Sequence, residues 1–324
     1  MFHNARDFAE MTRRLREFNV DYEREAVRLA TAERGASPPA RDATPVASEE
    51  SRYSTGGVMS STSANAATIT VERDGHVLLM GLNRPAKRNA FTRQMISELS
   101  LAYGLLESDE DLWCGVLFAH GDHFTAGLDM VDVGTDLASG DFAVPEGGRD
   151  PWRRDGTWST PLVAAAQGWV MTAGIELLLA ADIRVVARDA RFSQLEVRRG
   201  IYPFGGATFR FPRETGWGNA MRWILTGEEF DAAEAQRIGL VQEVLADGAS
   251  AVERAKEIAR VISERSAPLA VRTTLASAHL ARESGDAAAI AQLRPDLARL
   301  SSTADGAEGV RSFVERRNAV FTGH

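Results

Sequence analysis

The chain predicts an α/β fold in which parallel strands are joined by helical crossovers and the last third is helical. Three observations carry this. Residues 92–107 have helical periodicity and lead into a fully apolar strand at 115–119. The order then repeats, with an apolar strand at 161–170, a helix around Glu176 and another strand at 183–187. Beyond Gly218 helical patterns dominate.

At the start of the chain, Phe8, Met11, Leu15, Phe18 and Tyr22 recur at helical spacing, which predicts an amphipathic helical appendage over residues 1–34. Residues 35–67 are rich in Ser, Thr, Ala, Pro and Gly, the composition of a flexible linker. Met59 lies inside that linker and is expected to be an alternative or true translation start. The folded body then divides into a core at 68–245 and a helical region at 246–324.

Two β-rich runs, 68–73 and 76–82, flank Asp74-Gly75, a strong hairpin signal. Met95, Ile96, Leu99 and Leu106 define the apolar face of the helix that follows. Residues 130–158 are Gly- and Asp-rich without periodicity and predict a mobile loop or lid near the site. Further on, 219–226 reads as helix, Asp231-Ala232-Ala233-Glu234 as a capping box, and 240–244 as a short strand. Helices at 249–266, 268–283, 286–300 and 305–318 complete the chain, with Pro268 suited to a first turn.

Composition narrows the function. With 44% hydrophobic residues the 324-residue chain can bury a large core. A net charge of −8 argues against nucleic acid or an anionic membrane as the main partner, although a local basic patch can still hold phosphates. Cys114 is the only cysteine, so no intrachain disulfide or thiol metal site can form, and a reducing, cytoplasmic setting is expected. The most apolar stretch, 161–175, is interrupted by Gln167, Gly168 and Gly174 and falls short of a bilayer span. Residues 1–34 contain no apolar signal-peptide core. His120 and His123 lack matching ligands nearby, which argues against a metal, and Trp217 and Trp223 read as core residues.

Glu176 is the one ionisable residue in the run Ala173-Gly174-Ile175-Glu176-Leu177-Leu178-Leu179-Ala180-Ala181. Removing a carboxylate from water is costly, so this group has either a structural partner such as an arginine or a chemical task. Its place in the first turn of a helix favours the charged form. Three segments converge with it. Gly121 to Asp129 follows the strand at Phe118, with small residues that let the backbone turn and expose its amides. Gly168 to Glu176 is a strand-to-helix junction. Phe192 to Glu196 is followed by Gly200-Ile201-Tyr202-Pro203-Phe204-Gly205-Gly206. Open α/β sheets place their ligands after such strand ends.

These residues also carry a family resemblance. Leu82-Asn83-Arg84-Pro85 with Asn89-Ala90-Phe91, then Phe124-Thr125-Ala126-Gly127-Leu128-Asp129, then Leu225-Thr226-Gly227 through Ala235 with Gly239-Leu240-Val241, resemble in order and spacing the crotonase, or enoyl-CoA hydratase and isomerase, family. The resemblance extends from Thr68 to the C-terminus. It implies a crotonase-like fold of repeated ββα units with a helical C-terminal trimerisation region, assembling as a homotrimer or hexamer. The substrate implied is an acyl-CoA thioester, with coenzyme A part of the substrate and no separate cofactor or metal.

By the same resemblance, the Leu128 and Ala173 amides form an oxyanion hole for the thioester carbonyl, where one preorganised donor is worth about 3–4 kcal/mol. Glu176 and Glu196 align with the acids that flank the alkene in hydratases. Ionised Glu176 would activate water for attack at C3 and protonated Glu196 would supply a proton to C2. An ion pair of Glu196 with Arg198 or Arg199 is the plain alternative. Arg84, Lys87, Arg88 and Ala126 are implied at the CoA phosphates and adenine side, and Phe313 and Arg316 on the terminal helix that reaches CoA, often across a subunit boundary. A solvated charged turn and ordinary helix packing are the competing readings.

The chain departs from the pattern where Thr172-Ala173-Gly174 replaces a glycine run, and where Tyr202 and Phe204 add aromatic bulk expected to shape the acyl pocket. Reversible hydration of a trans-2-enoyl-CoA is the leading expectation. Isomerisation or thioester hydrolysis through the same enolate, and a non-catalytic CoA-binding scaffold, are the alternatives.

Overall fold

A hairpin opens the folded body. In a computed structural model that describes residues 67–139, 143–154, 156 and 158–324, strand β1 (Ile69–Asp74) pairs antiparallel with β2 (Val77–Leu82) across the Asp74-Gly75 turn, where Gly75 has φ 58°. Every residue of β2 is buried, as its unbroken apolar sequence requires of a strand covered on both faces. Helix α1 (Arg93–Ser108) follows, its N-terminus capped by the Thr92 hydroxyl, which accepts the Met95 amide at 3.2 Å.

Strands β3 (Cys114–Ala119), β4 (Leu162–Ala166), β6 (Ile183–Ala187) and β9 (Glu243–Leu245) extend the sheet in parallel, in the order β1-β2-β3-β4-β6-β9. A second sheet holds β5 (Trp169–Met171), β7 (Arg191–Ser193) and β8 (Phe230–Asp231) in the order β5-β7-β8. Alternation along β2 sorts Leu78, Met80 and Leu82 to one core, with Phe91, Tyr103 and Phe124, and Val77 and Leu79 to another. The second core is closed by helix α7 (Gly248–Arg265), which presents Ala251, Ala255 and Ala259 at four-residue spacing and so approaches the sheet closely.

Several expectations are corrected. Residues 130–158 are not wholly loop: helix α2 covers Met130–Ser139. The apolar stretch 161–170 is two strands in different sheets, because the chain bends at Gly168 (φ 54°), where a Cβ would lie 2.1 Å from the Asp122 carbonyl. Helix α3 (Ala173–Ala180) follows β5. A further helix, α4 (Ala207–Thr215), was hidden by its internal Pro212 and by the glycines before it, and α5 (Trp217–Ile224) starts earlier than periodicity indicates. Trp217 is 72% exposed rather than core, since it opens α5, whereas Trp223 packs on the core. The capping box is present, with the Asp231 carboxylate accepting the Glu234 amide at 2.9 Å ahead of α6 (Ala232–Arg237).

The C-terminal region consists of α7, α8 (Pro268–Ser284), α9 (Asp286–Ser301) and α10 (Ala304–Glu315). Asp305 anchors the last residues by accepting the Thr322 amide at 2.7 Å and the Gly323 amide at 2.9 Å. The helix expected over 1–34, the linker and Met59 lie outside the described residues, apart from Ala67 of the linker. Among the described residues no helix is long and apolar enough to cross a membrane, and Cys114 is buried with a free thiol.

Candidate active site

Two loops are stitched together to shape the first wall of the site. Asn89 is fully buried and donates from Nδ2 to the carbonyls of His120 (2.9 Å) and His123 (2.8 Å), while its Oδ1 accepts the Arg84 amide at 2.7 Å. The Thr125 hydroxyl donates to the Asn89 carbonyl at 2.7 Å, and the Ala126 amide donates to Arg88 O at 2.9 Å. Phe91 then brackets residue 128, with its amide donating to Gly127 O and its carbonyl accepting the Asp129 amide, both at 2.8 Å. The Leu128 amide between them donates to no described residue.

The second wall is the junction of β5 and α3. The Met171 amide donates to Thr125 O at 3.1 Å and the Thr172 amide to Ser193 O at 2.9 Å, which fixes the entry to the helix. Thr172 has φ 50° and ψ −113°, a conformation natural to glycine and costly, by about 1–3 kcal/mol, for a β-branched residue. Backbone strain is thus retained where the family resemblance would place glycine. Ala173, the first residue of α3, has an amide with no partner among the described residues, as first-turn amides lack intrahelical acceptors. Its carbonyl accepts the indole N–H of Trp152 at 3.0 Å.

Leu128, Ala173, Glu176, Trp152, Phe204 and Gly205 line one cavity of about 10 Å³. That is room for roughly one water. Leu128, Ala173 and Glu176 therefore border a single small enclosure. Glu176 is 2% exposed, and its Oε1 accepts the amides of Gly205 (2.8 Å) and Ala207 (3.1 Å), so the loop ahead of α4 holds the carboxyl in place.

Burial reverses the expected charge preference of Glu176. Loss of hydration outweighs the two amide bonds and the attraction of Arg154 and Arg210, and pushes its pKa up to about 7. Glu196 lies in a short 3₁₀ turn, Leu195–Arg199, and is 5% exposed. Burial first, and the charge of Glu176 second, push it up to about 8. Its Oε1 accepts a long bond from Gln194 Nε2 at 3.3 Å, while Oε2 is buried without a partner. Neither neighbouring arginine forms the plain ion pair with it: Arg198 Nε donates instead to Thr226 O at 2.7 Å, and Arg199 Nη1 to Arg198 O at 3.3 Å.

The remaining sequence candidates occupy varied positions. Arg84 bridges Asp129 (2.9 Å) and the Ala90 carbonyl (3.0 Å), and so braces the loop that carries Leu128. Lys87 is exposed, Arg88 stacks its guanidinium 4.6 Å from the Trp169 ring centre, and Ala126 is half-buried. Phe204 lines the cavity, but Tyr202 is 65% exposed and does not line it. Phe313 (83% exposed) and Arg316 lie on or just after α10 and line neither this cavity nor the cleft beside it.

Trp152, the amides of Gly205 and Ala207, and Arg210 escaped the sequence reading. Arg210 is 6% exposed and donates to the carbonyls of Trp152 (2.8 Å), Gly205 (3.2 Å) and Arg153 (2.9 Å), tying the Trp152 segment to the Glu176 cradle. No short-range spacing announces most of these contacts: Arg210 reaches Trp152 across 58 residues and Arg153 across 57.

The fold of parallel strands with helical crossovers, carrying two buried acids, is of the crotonase type. Residues 72–324 match the enoyl-CoA hydratase/isomerase family, and the chain belongs to it. It is 34% identical over 256 residues to the enoyl-CoA hydratase EchA19 of Mycobacterium tuberculosis, covering 78% of this chain and 95% of the relative. It is 32% identical to the 2,3-dehydroadipyl-CoA hydratase of Escherichia coli, covering 79% of this chain and 98% of the relative. Among solved structures, a probable enoyl-CoA hydratase/isomerase from Mycobacterium abscessus superposes with a TM-score of 0.77 at 53% identity, over 79% of this chain and 99% of that one.

Proposed function

We propose that this protein is an enoyl-CoA hydratase that adds water reversibly, on one face, to a trans-2-enoyl-CoA to give a 3-hydroxyacyl-CoA. The observation that carries the reading is the pair of buried acids, Glu176 and Glu196, both raised by burial and coupled to each other, with Glu176 bordering the same small cavity as Leu128 and Ala173. Two coupled carboxyls, both raised, hold one proton between them over a range of pH, which supplies one base and one acid. Glu176 takes a proton from water as its oxygen bonds to C3. The displaced electron pair accumulates on the thioester oxygen, which the Leu128 and Ala173 amides receive. Glu196 then protonates C2, and proton exchange with solvent resets the two acids. Water adds without net electron transfer, so the chemistry calls for no redox cofactor.

The basic residues Arg84, Lys87 and Arg88, with Ala126, are proposed to meet coenzyme A. Arg84 does so as a brace, since its guanidinium is already engaged. Exposed apolar side chains on α9 and α10, among them Leu293, Leu297, Val310, Phe313 and Val314, support assembly as a homotrimer or hexamer, in which Phe313 and Arg316 would reach a neighbour's CoA. A reduced, buried Cys114 supports a cytoplasmic setting.

Steady-state assays on crotonyl-CoA and longer trans-2-enoyl-CoAs test the reading, with loss of the conjugated enoyl absorbance as the expected result. Absence of hydration on every chain length would reject it. Conversion of a 3-enoyl-CoA, or release of free coenzyme A, without hydration would assign the same site to isomerisation or hydrolysis.

A further inference from the structure

Beside the small cavity, and sharing Phe204 with it, lies a cleft of about 710 Å³. It runs along the C-terminal end of α3, where Leu179, Ala180 and Ala181 line it, about one helical turn beyond Glu176. Its walls are basic, with six arginines against three acids. Asp182 is taken up bidentately by Arg153 at 3.0 and 3.2 Å, and Glu214 by Arg184 at 2.9 Å. Arg154 is matched by Asp150 at 2.7 Å.

The remaining cations are less compensated. Arg210 bonds only to carbonyls among its hydrogen-bond partners, Arg213 faces the Phe209 ring at 5.7 Å, and Arg282 reaches Glu214 at 3.9 Å, beyond hydrogen-bond length. Against these three, Glu283 is the acid left over. Arginines in excess of acids along a cleft are the complement of a group that only accepts, and a carboxylate is such a group.

We infer that this cleft receives a distal carboxylate on the acyl chain, so that the preferred thioesters are those of dicarboxylic acids, with Phe204 as the partition the chain must pass. The inference rests on the acyl-CoA reading of the neighbouring cavity. The position of the cleft fits: it begins about one turn of α3 beyond the residue proposed to act at C3, and Phe204 lines both spaces. A neutral alkyl tail would gain nothing from these arginines and would cover donors that water otherwise satisfies.

Binding of unreactive thioesters tests this apart from catalysis. Calorimetry on the full chain would compare adipyl-CoA with hexanoyl-CoA, which have the same six-carbon chain and differ in the terminal carboxylate. Adipyl-CoA is expected to bind at least tenfold more tightly, with an advantage that shrinks as salt rises. The double variant Arg213→Gln/Arg282→Gln, changed at exposed positions the fold tolerates, should bring the ratio of the two Kd values towards one. Equal or weaker binding of adipyl-CoA, or a preference that survives in the double variant, overturns the inference. If the double variant instead changes the sedimenting mass while the wild type shows no preference, the cleft is a contact between copies. A preference for adipyl-CoA that is lost in the double variant, with no hydration of any enoyl-CoA, would sink the hydratase reading and leave the carboxylate site standing.

Discussion

The Glu176 carboxyl and the backbone of Gly205 are locked together: Oε1 accepts the Gly205 amide at 2.8 Å, and a Cβ on residue 205 would stand 2.6 Å from Oε2. Glycine is therefore required here by space rather than by dihedral angle. Gly205→Ala is expected to push the carboxyl out of place and lower kcat by about 10²-fold, the usual cost of a displacement near 1 Å. Thermal unfolding of the same variant separates this from a general loss of fold, and an unchanged kcat would show that Glu176 need not be held there.

Replacing either acid by its amide keeps shape and removes proton transfer. Glu176→Gln and Glu196→Gln should each lower kcat by about 10²- to 10⁴-fold with KM little changed. A variant with near wild-type turnover would remove that residue from the chemistry.

The pH dependence follows from the direction of both shifts. Burial raises Glu176 to about 7 and Glu196, helped by the Glu176 charge, to about 8. Activity needs the first ionised and the second protonated, so kcat/KM should rise through about 7 and fall through about 8, a narrow bell belonging to the pair.

Stability should move the opposite way to that of most carboxylates. In the native state both groups keep their protons above the ordinary value of 4.5, so their contribution is complete below 4.5 and is lost as pH rises through 7 and 8. The double variant Glu176→Gln/Glu196→Gln should flatten this decline, and its Tm should exceed that of the wild type at pH 9. A wild-type Tm that climbs from pH 5 to 8 relative to the double variant would contradict the shifts.

Arg210 is a positioning residue by the same geometry. Its charge favours ionised Glu176, and its bonds to Trp152, Arg153 and Gly205 carbonyls hold the cradle. Arg210→Gln should shift the rising limb of the pH profile to higher pH, while Arg210→Lys should keep the limb near its place. A purely structural role would lower Tm in both without moving the limb.

The amides proposed to receive the thioester oxygen answer to a main-chain test. Gly127 has φ 91°, and a Cβ there would lie 2.1 Å from Thr172 Oγ1, so Gly127→Ala must shift the turn that presents the Leu128 amide or the residue before Ala173. A loss of about 10²- to 10³-fold in kcat is expected, the worth of one such donor. Retained kcat would detach these amides from the reaction.

The sequence by itself determined the order of elements where local physics suffices. Short apolar runs such as 115–119, the Asp74-Gly75 turn and the Asp231 cap act within a few residues, and each stands where the sequence puts it. Glu176 was legible as a lone acid in an apolar run, whereas Glu196 and the amides of Leu128 and Ala173 became candidates through the family resemblance. Tertiary structure decided the rest. Helix α2 and the Trp152 segment carried no periodic signal, and Arg210 meets its acceptors across 58 residues for Trp152 and 57 for Arg153. The protonation of Glu176 turned from favouring charge to opposing it because hydration is lost through the walls that other segments build around the helix. Only the folded chain brings Arg184, Arg213 and Arg282 to one cleft, since charge acts through space and not along sequence.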